Sequence, residues 1–260
     1  MDQLGVGGGR LDDQVALITG AGSGIGRAMA REFAARGARI AACDIDRQTA
    51  SAAARDAADA GAPEAIAVTA DVGSAPEAAR VIDKVQRRFE RIDVLCSNAG
   101  ILDGYASAID ATEELWDRVF DVNVKATWLL ARAALPQMRE RKSGAIIVTA
   151  SVAGMVAGGG GVAYTSSKHA VIGLMRQIAL ENAPHGIRVN AICPGVVQTG
   201  MTQPLFDDKD SIMYEFIPAI PSATWAQPEE IAKLAALMAS GEVPFMRGAC
   251  VVADGGWTIK

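Results

Sequence analysis

Seven short apolar runs, at residues 15–18, 39–43, 65–69, 94–96, 145–149, 187–192 and 249–252, punctuate this chain, with amphipathic stretches long enough for helices between them. Strands that alternate with helices are read as a parallel sheet covered on both faces, an α/β fold. In the first intervening stretch Ile25, Met29 and Phe33 recur at intervals of four, which gives a helix one apolar face to bury against that sheet. Gly37 is placed to stop it.

No polar linker and no internal repeat divides the 260 residues, so the expectation is one domain over 13–260, preceded by a flexible N-terminal tail over 1–12. The region 199–224, with prolines at 204, 218 and 221, is too long for a simple connector and reads as an irregular lid over a site. With a net charge of −5 and no run of Lys or Arg, the chain is not expected to bind nucleic acid. Cys43, Cys96, Cys193 and Cys250 show no Cys-x-x-Cys spacing, and no His lies at zinc-like intervals, so buried thiols are favoured over disulfides and no metal is expected.

Asp2 and the Gly7-Gly8-Gly9 tract stand where a secretory signal would need positive charge and an apolar core, which points to the cytoplasm. Residues 143–167 are uncharged and long enough to span a bilayer. Their six glycines and six Ser or Thr residues make a poor span, so no membrane segment is expected. A strand, a loop and a helix entered near Ala163 fit this stretch better.

The turn Thr19-Gly20-Ala21-Gly22-Ser23-Gly24-Ile25-Gly26 follows an apolar strand and opens an amphipathic helix. Glycines there let the backbone approach a pyrophosphate, and exposed N–H groups at the positive helix end favour the anion. A tight strand-to-helix connection would look much the same. Asp44, at the end of the second strand and eighteen residues after Gly26, shifts the balance, because an acidic group there can bond the ribose hydroxyls of a dinucleotide. A carboxylate also repels a 2′-phosphate, and no Lys or Arg occurs within residues 21–25, so NAD is favoured over NADP.

Tyr164 and Lys168 lie four residues apart and so share a helix face, with Ser151 thirteen positions upstream of the tyrosine. The pair alone is cheap, since such spacings occur on many helices. A lysine beside a phenol can nevertheless help to hold it ionised. Bringing a tyrosine from ~10 to the ~7–8 useful in proton transfer takes roughly 3–4 kcal/mol of preferential stabilisation of the phenolate. His169 faces about 100° away from Lys168 and His185 sits in a turn, so neither is read as catalytic.

These residues together resemble the short-chain dehydrogenase/reductase family, in its single-domain branch of roughly 250 residues, from about Asp13 to the C-terminus. The turn fits that family's T-G-x-x-x-G-x-G pattern, Asp71-Val72 is similar to the pair that contacts adenine, and Asn98-Ala99-Gly100 to the segment lying along the cofactor. Asn123, Ser151, Tyr164 and Lys168 match the catalytic tetrad, and Pro194-Gly195, Thr199 and Asp254-Gly255-Gly256 continue the pattern.

The resemblance implies a Rossmann-like, doubly wound parallel sheet of order 3-2-1-4-5-6-7 and a homotetramer. In that picture residues 123–139 and 163–182 form the dimer seam and the C-terminal strand the second interface. It further implies NAD held by Gly20, Ser23, Gly24, Ile25, Gly26, Asp44, Asp71, Val72, Asn98, Ala99, Gly100, Tyr164, Lys168, Pro194, Gly195, Val197 and Thr199. Tyr164 would be the general acid/base, Lys168 would lower its pKa and hold the nicotinamide ribose, and Ser151 would polarise the substrate oxygen. Asn123 would hold a water that relays the proton outward. Three departures are visible: Ser97 stands where the family usually has an asparagine, Ala150 where a serine is common, and Pro221-Ser222-Ala223-Thr224 replaces a frequent Gly-Arg pair.

The expected substrate pocket comprises Ser151, Ala153, Tyr164, Met201, Leu205 and Phe206, with Val152, Ile101, Leu102, Met213, Tyr214, Phe216 and Ile217 as further lining or lid candidates. Apart from Ser151 and Tyr164 they are read as an apolar lining, without an arginine to clamp an anion, which points to a neutral, fairly hydrophobic secondary alcohol or ketone, cyclic ones included. Two other readings stay open: a 3-oxoacyl or other carbonyl reductase of the same family, and a catalytically silent NAD-binding regulator. The glycines at 158–161 either widen the pocket or make a tight turn before the helix of Tyr164.

Overall fold

The computed structural model describes residues 10–208, 211 and 213–259, with the side chains of Met213, Glu215 and Phe216 outside the description. Residues 1–9 of the expected tail, and the lid candidates Met213 and Phe216 as side chains, therefore lie outside the described residues. Seven strands, β1 (Val15–Thr19), β2 (Arg39–Asp44), β3 (Ala65–Thr69), β4 (Val94–Ser97), β5 (Gly144–Thr149), β6 (Ile187–Pro194) and β7 (Cys250–Ala253), form one sheet. Every pairing is parallel, and the order is β3-β2-β1-β4-β5-β6-β7, the doubly wound arrangement. The chain leaves β1 on one side to reach β2 and returns to its other side at β4, which opens a crevice at the carboxyl ends of these strands.

The intervening helices are α1 (Gly24–Ala35), α2 (Arg47–Asp59), α3 (Ala75–Phe89), α4 (Glu113–Phe120), α5 (Ala126–Arg141), α6 (Val162–Asn182), α7 (Gln203–Asp207), α8 (Met213–Ala219) and α9 (Pro228–Ser240). Successive residues of β1 point to opposite faces. Val15 and Leu17 pack with α3, α5 and α6, whereas Ala16 and Ile18 pack with α1, α2 and α9. Met29 and Phe33 are fully buried on α1 as the periodicity predicts, and Gly37 takes φ +91° just past its end.

Two expectations need revision. Leu11 lies within the segment read as a loose tail, yet it is fully buried, and its N–H donates to Arg36 O at 2.8 Å. An apolar side chain next to the end of α1 completes the core there, so packing begins before Asp13. The region 199–224 is also less irregular than its prolines suggest, because it folds into the short helices α7 and α8. Its far end is fixed by Ser222, whose N–H donates to Gly255 O at 3.0 Å.

The uncharged stretch 143–167 becomes β5, a short 3₁₀ turn at Val152–Gly154 and the start of α6. No helix among the described residues is long and apolar enough to cross a membrane. Ser97, the departure from an expected asparagine, is buried and shares a 2.8 Å hydrogen bond with Thr127 on α5. The four thiols are free, with Cys43, Cys96 and Cys193 buried.

Candidate active site

The glycine turn is shaped by contacts too close for side chains. Gly20 and Gly24 adopt φ +62° and +50°, a left-handed geometry that costs other residues energy. A Cβ on Gly26 would sit 2.1 Å from Gly20 O, so this glycine lets the first turn of α1 close against the loop. Thr19 and Asn98 hold the turn from below. Thr19 Oγ1 accepts from Asn98 N and Ala99 N at 3.0 and 3.1 Å, and Asn98 Nδ2 donates to Thr19 O at 3.0 Å. Asn98 Oδ1 accepts from Thr149 Oγ1 at 3.0 Å, which ties the ends of β1, β4 and β5 together.

Asp44 stands at the end of β2, where its Oδ2 accepts from Gly22 N at 2.8 Å and its Oδ1 from Asp46 N at 3.1 Å. The carboxylate is thereby fixed at one end of the crevice. Asp71 is fixed nearby by Arg118, whose guanidinium donates to it at 2.8 Å from α4.

At the opposite end, Ser151 follows β5 and Tyr164 and Lys168 project from α6. Burial pushes the Tyr164 phenol up to about 12, against a smaller downward pull from its hydrogen bond to Ser151, while Tyr105 and Asp103 add to the rise. Burial also lowers the Lys168 ammonium to about 8. Its Nζ donates to Thr149 O at 3.0 Å and lies 5.4 Å from the centroid of the Tyr164 ring. In the chain by itself, burial is the largest influence on the phenol, and the Lys168 ammonium spends one of its three N–H donors on a backbone carbonyl.

One cleft of about 320 Å³ joins these two ends. Gly20, Ser23, Gly24, Ile25, Asp44, Asp71, Val72, Asn98, Ala99 and Gly100 line it on the glycine-turn side. Ser151, Tyr164, Lys168, Pro194, Gly195, Val197, Thr199 and Met201 line it on the other. Several expected residues do not. Gly26 lies beneath the turn for the reason given above. Ala153 is fully buried, close against Gly159, where a Cβ would come within 2.9 Å of its own. Leu205 and Phe206 stand away from the wall, and Phe206 packs on Trp225 with ring centroids 5.0 Å apart.

Asn123 occupies a π-helical turn, Asp121–Lys125, between α4 and α5, a local irregularity that recurs at functional positions. Its carboxamide faces protein, with Oδ1 accepting from Ile101 N and Nδ2 donating to Ile101 O and Ser167 Oγ. Both Nδ2 hydrogens are used, so the side chain ties the loop after β4 to α6 and only one lone pair of Oδ1 is left for a water. The glycines at 158–161 make a close turn: Gly158 takes φ +94°, and a Cβ on Gly160 would strike the Tyr164 ring at 2.4 Å.

Sequence reading missed Arg118, Thr149 and Thr202, all of which line the cleft. Thr202 Oγ1 donates to Val197 O at 2.7 Å and accepts from Thr199 N at 2.9 Å, shaping the start of the lid. Only Arg118 carried a chemical signal, as a basic residue, and nothing local marked it as the partner of Asp71.

The family model described as short chain dehydrogenase matches residues 14–210. The chain belongs to the short-chain dehydrogenase family. It is 39% identical over 252 residues to D-threitol dehydrogenase of Mycolicibacterium smegmatis, covering 96% of this chain and 95% of the relative. It is 36% identical over 253 residues to 3beta-hydroxysteroid dehydrogenase 2 of Eggerthella lenta, covering 95% and 96%. Among solved structures, a protein described as an NAD(P)-dependent gluconate 5-dehydrogenase from Beutenbergia cavernae, holding NADP, superposes with a TM-score of 0.91 at 37% identity, over 97% of this chain and all of that one.

Short-chain dehydrogenases are oxidoreductases that bind a nicotinamide cofactor, and the cleft of this member fits one. A dinucleotide needs an uncluttered turn at a helix N-terminus for its pyrophosphate, and Gly20 and Gly24 line the cleft there without side chains. It needs a ribose acceptor about one strand away, where Asp44 is anchored.

Proposed function

We propose that this short-chain dehydrogenase is an NAD(H)-dependent enzyme that interconverts a neutral, fairly hydrophobic secondary alcohol and its ketone, with Tyr164 as general acid/base. The observation that carries this reading is the shared cleft, in which Ser151, Tyr164 and Lys168 stand at one end and the glycine turn with Asp44 at the other. NAD would supply a hydride acceptor or donor when bound. Gly20, Ser23, Gly24 and Ile25 would hold its phosphates, Asp44 its adenosine ribose, and Asp71 and Val72 its adenine. Lys168 would reach the second ribose, while Pro194, Gly195, Val197 and Thr199 would bound the ring.

The chain's own chemistry then concerns one proton. Ser151 donates a hydrogen bond to the substrate oxygen and keeps it pointing at Tyr164. In ketone reduction the phenol gives its proton to that oxygen, a role suited to a group held protonated through neutral pH. In alcohol oxidation the phenol must first lose its proton, which a positively charged oxidised nicotinamide beside it would favour. Residues 199–224 would serve as the lid. The apolar substrate class is supported by Ile101, Val197 and Met201 along the wall, and by the pairing of Arg118 with Asp71 at the adenine end, which leaves it committed away from the reacting oxygen.

Absorbance at 340 nm with NAD and a panel of secondary alcohols tests the proposal. Cyclic and branched apolar alcohols should outpace polyols and hydroxy acids. Faster turnover of small carboxylate-bearing substrates would overturn the substrate class, and NAD binding with no turnover of any alcohol or ketone would favour a regulatory binder. Cofactor choice has its own test. Asp44→Ser removes the charge that opposes a 2′-phosphate, so the ratio of kcat/KM for NAD over NADP should fall by roughly tenfold to a hundredfold. An unchanged ratio would show that Asp44 does not set the preference.

The reading extends to assembly as a homotetramer in the cytoplasm. Its support is the apolar surface left on the described residues: Trp128 on α5, Leu180 on α6, and Phe245 and Ile259 flanking β7 are exposed. Light scattering should return four times the 27.0 kDa chain mass, and a monomer would count against it.

A further inference from the structure

Helix α6 carries Tyr164 and Lys168, yet its N-cap residue is Gly161, which has no side chain with which to satisfy the first amides. The cap is supplied from far upstream in the sequence. Asp103, in the loop after β4, accepts from Gly161 N at 2.9 Å through Oδ1 and from Tyr164 N at 2.8 Å through Oδ2. Its Oδ1 accepts a third bond, from Tyr105 N at 3.1 Å. The residue is 3% exposed, and three amides with the positive end of a long helix replace the water its carboxylate gives up.

The rest of the seam is equally close. Val162 N donates to Ala106 O at 3.0 Å. A Cβ on Gly161 would lie 2.5 Å from Ala106 O and 2.6 Å from Asp103 Oδ2, so the loop and helix touch through backbone. Tyr105, in that loop, takes φ +60°, a left-handed conformation that strains an aromatic residue and is kept where surroundings over-determine it. The carboxylate that binds the amide of Tyr164 also holds this residue in place.

We propose that Asp103 is a positioning residue for the reaction: by binding the amides of Gly161 and Tyr164 it sets the depth and direction of the Tyr164 phenol relative to Ser151. This rests on the reading of Tyr164 as the acid/base. A serine or threonine cap at position 161 would have satisfied the Tyr164 amide without a buried charge, but not the amide of residue 161 itself. The charge has a chemical consequence, since the groups that act on the phenol besides its burial and the Ser151 bond are Tyr105 and Asp103, both keeping the proton on, with the Lys168 ammonium 5.4 Å from the ring centroid.

The test compares purified wild type, Tyr164→Phe, Asp103→Asn, Gly161→Ala and Thr112→Ala in steady-state alcohol oxidation across pH, with NADH binding and thermal unfolding measured alongside. Thr112 caps α4 through Leu115 N at 3.2 Å, away from the site, and controls for the loss of a cap. Asp103→Asn should lower kcat by roughly tenfold to a hundredfold, as misplacement of a reacting group does. NADH affinity should change by less than about threefold, and the pH profile should move toward lower pH as the negative charge leaves. Thr112→Ala should lower the unfolding temperature without moving either kinetic readout.

Gly161→Ala keeps the carboxylate but forces the seam apart. It should lower kcat at least severalfold with the pH profile in place, and it stands as the test if Asp103→Asn does not fold. Wild-type kcat and pH profile in whichever of the two variants folds would overturn the inference. An active Tyr164→Phe would instead overturn the assignment of Tyr164 itself, so the two failures are distinguishable.

Discussion

Tyr164→Phe should lower kcat for alcohol oxidation by about a thousandfold while leaving NADH affinity nearly unchanged. The substitution removes one oxygen from a ring that α6 already holds, so the cleft keeps its shape and loses only its proton carrier. General acid/base groups typically contribute 10²–10⁴-fold, which sets the scale. The wild type adds a pH signature. Burial holds the free phenol up at about 12, so oxidation, which needs phenolate, should speed up as pH rises, and reduction, which needs phenol, should not. Stopped-flow and steady-state rates for both directions across pH check both points. A Phe variant within tenfold of wild type would remove Tyr164 from the chemistry.

Gly26→Ala should cost more structurally than any other single methyl in the site. Its Cβ would lie 2.1 Å from Gly20 O and 2.6 Å from Asn98 Nδ2, and the first of these is backbone that cannot rotate away. Overpacking of this kind costs roughly 1–3 kcal/mol. In a chain of this size each kcal/mol moves Tm by about 2–4 °C, so a fall of roughly 2–12 °C is expected. The same displacement spoils the phosphate cradle, and NADH binding by fluorescence titration should weaken by at least about a hundredfold. Wild-type Tm and affinity would show that the loop relaxes freely.

Much of this was legible in the chain because it depends on short-range pattern. Continuous apolar runs gave the strands, a four-residue spacing gave the buried face of α1, and the glycine turn with Asp44 gave one end of the cleft. What escaped was set by packing between distant segments. Leu11 looked like tail because a single apolar residue has no period, yet the end of α1 gives it somewhere to go. Ala153 and Phe206 have the character of pocket residues and were drawn elsewhere, one beneath Gly159 and the other onto Trp225. Asn123 stands out in the sequence only through the family pattern, and its bonds to Ile101 and Ser167 depend on a π-turn that no residue preference announces. The four-residue spacing shows Lys168 only as a neighbour of Tyr164. Its bond to Thr149 O comes from the way β5 ends beneath α6.

The knot formed by Thr19, Asn98 and Thr149 bears on how this protein comes into being during synthesis. Its bonds join residues 79 and 51 positions apart, and Asn98 is common to both spans. A nascent chain that has emerged only as far as β4 can close the glycine turn against Asn98, whose Nδ2 already reaches Thr19 O, but it lacks the bond from Thr149 that fixes the other end of the carboxamide. The last bond of the knot therefore forms only once β5 has docked. Such long loops are slow to close. Ligand binding should consequently reward completed molecules without hastening their assembly, acting on the rate of unfolding more than on the rate of folding.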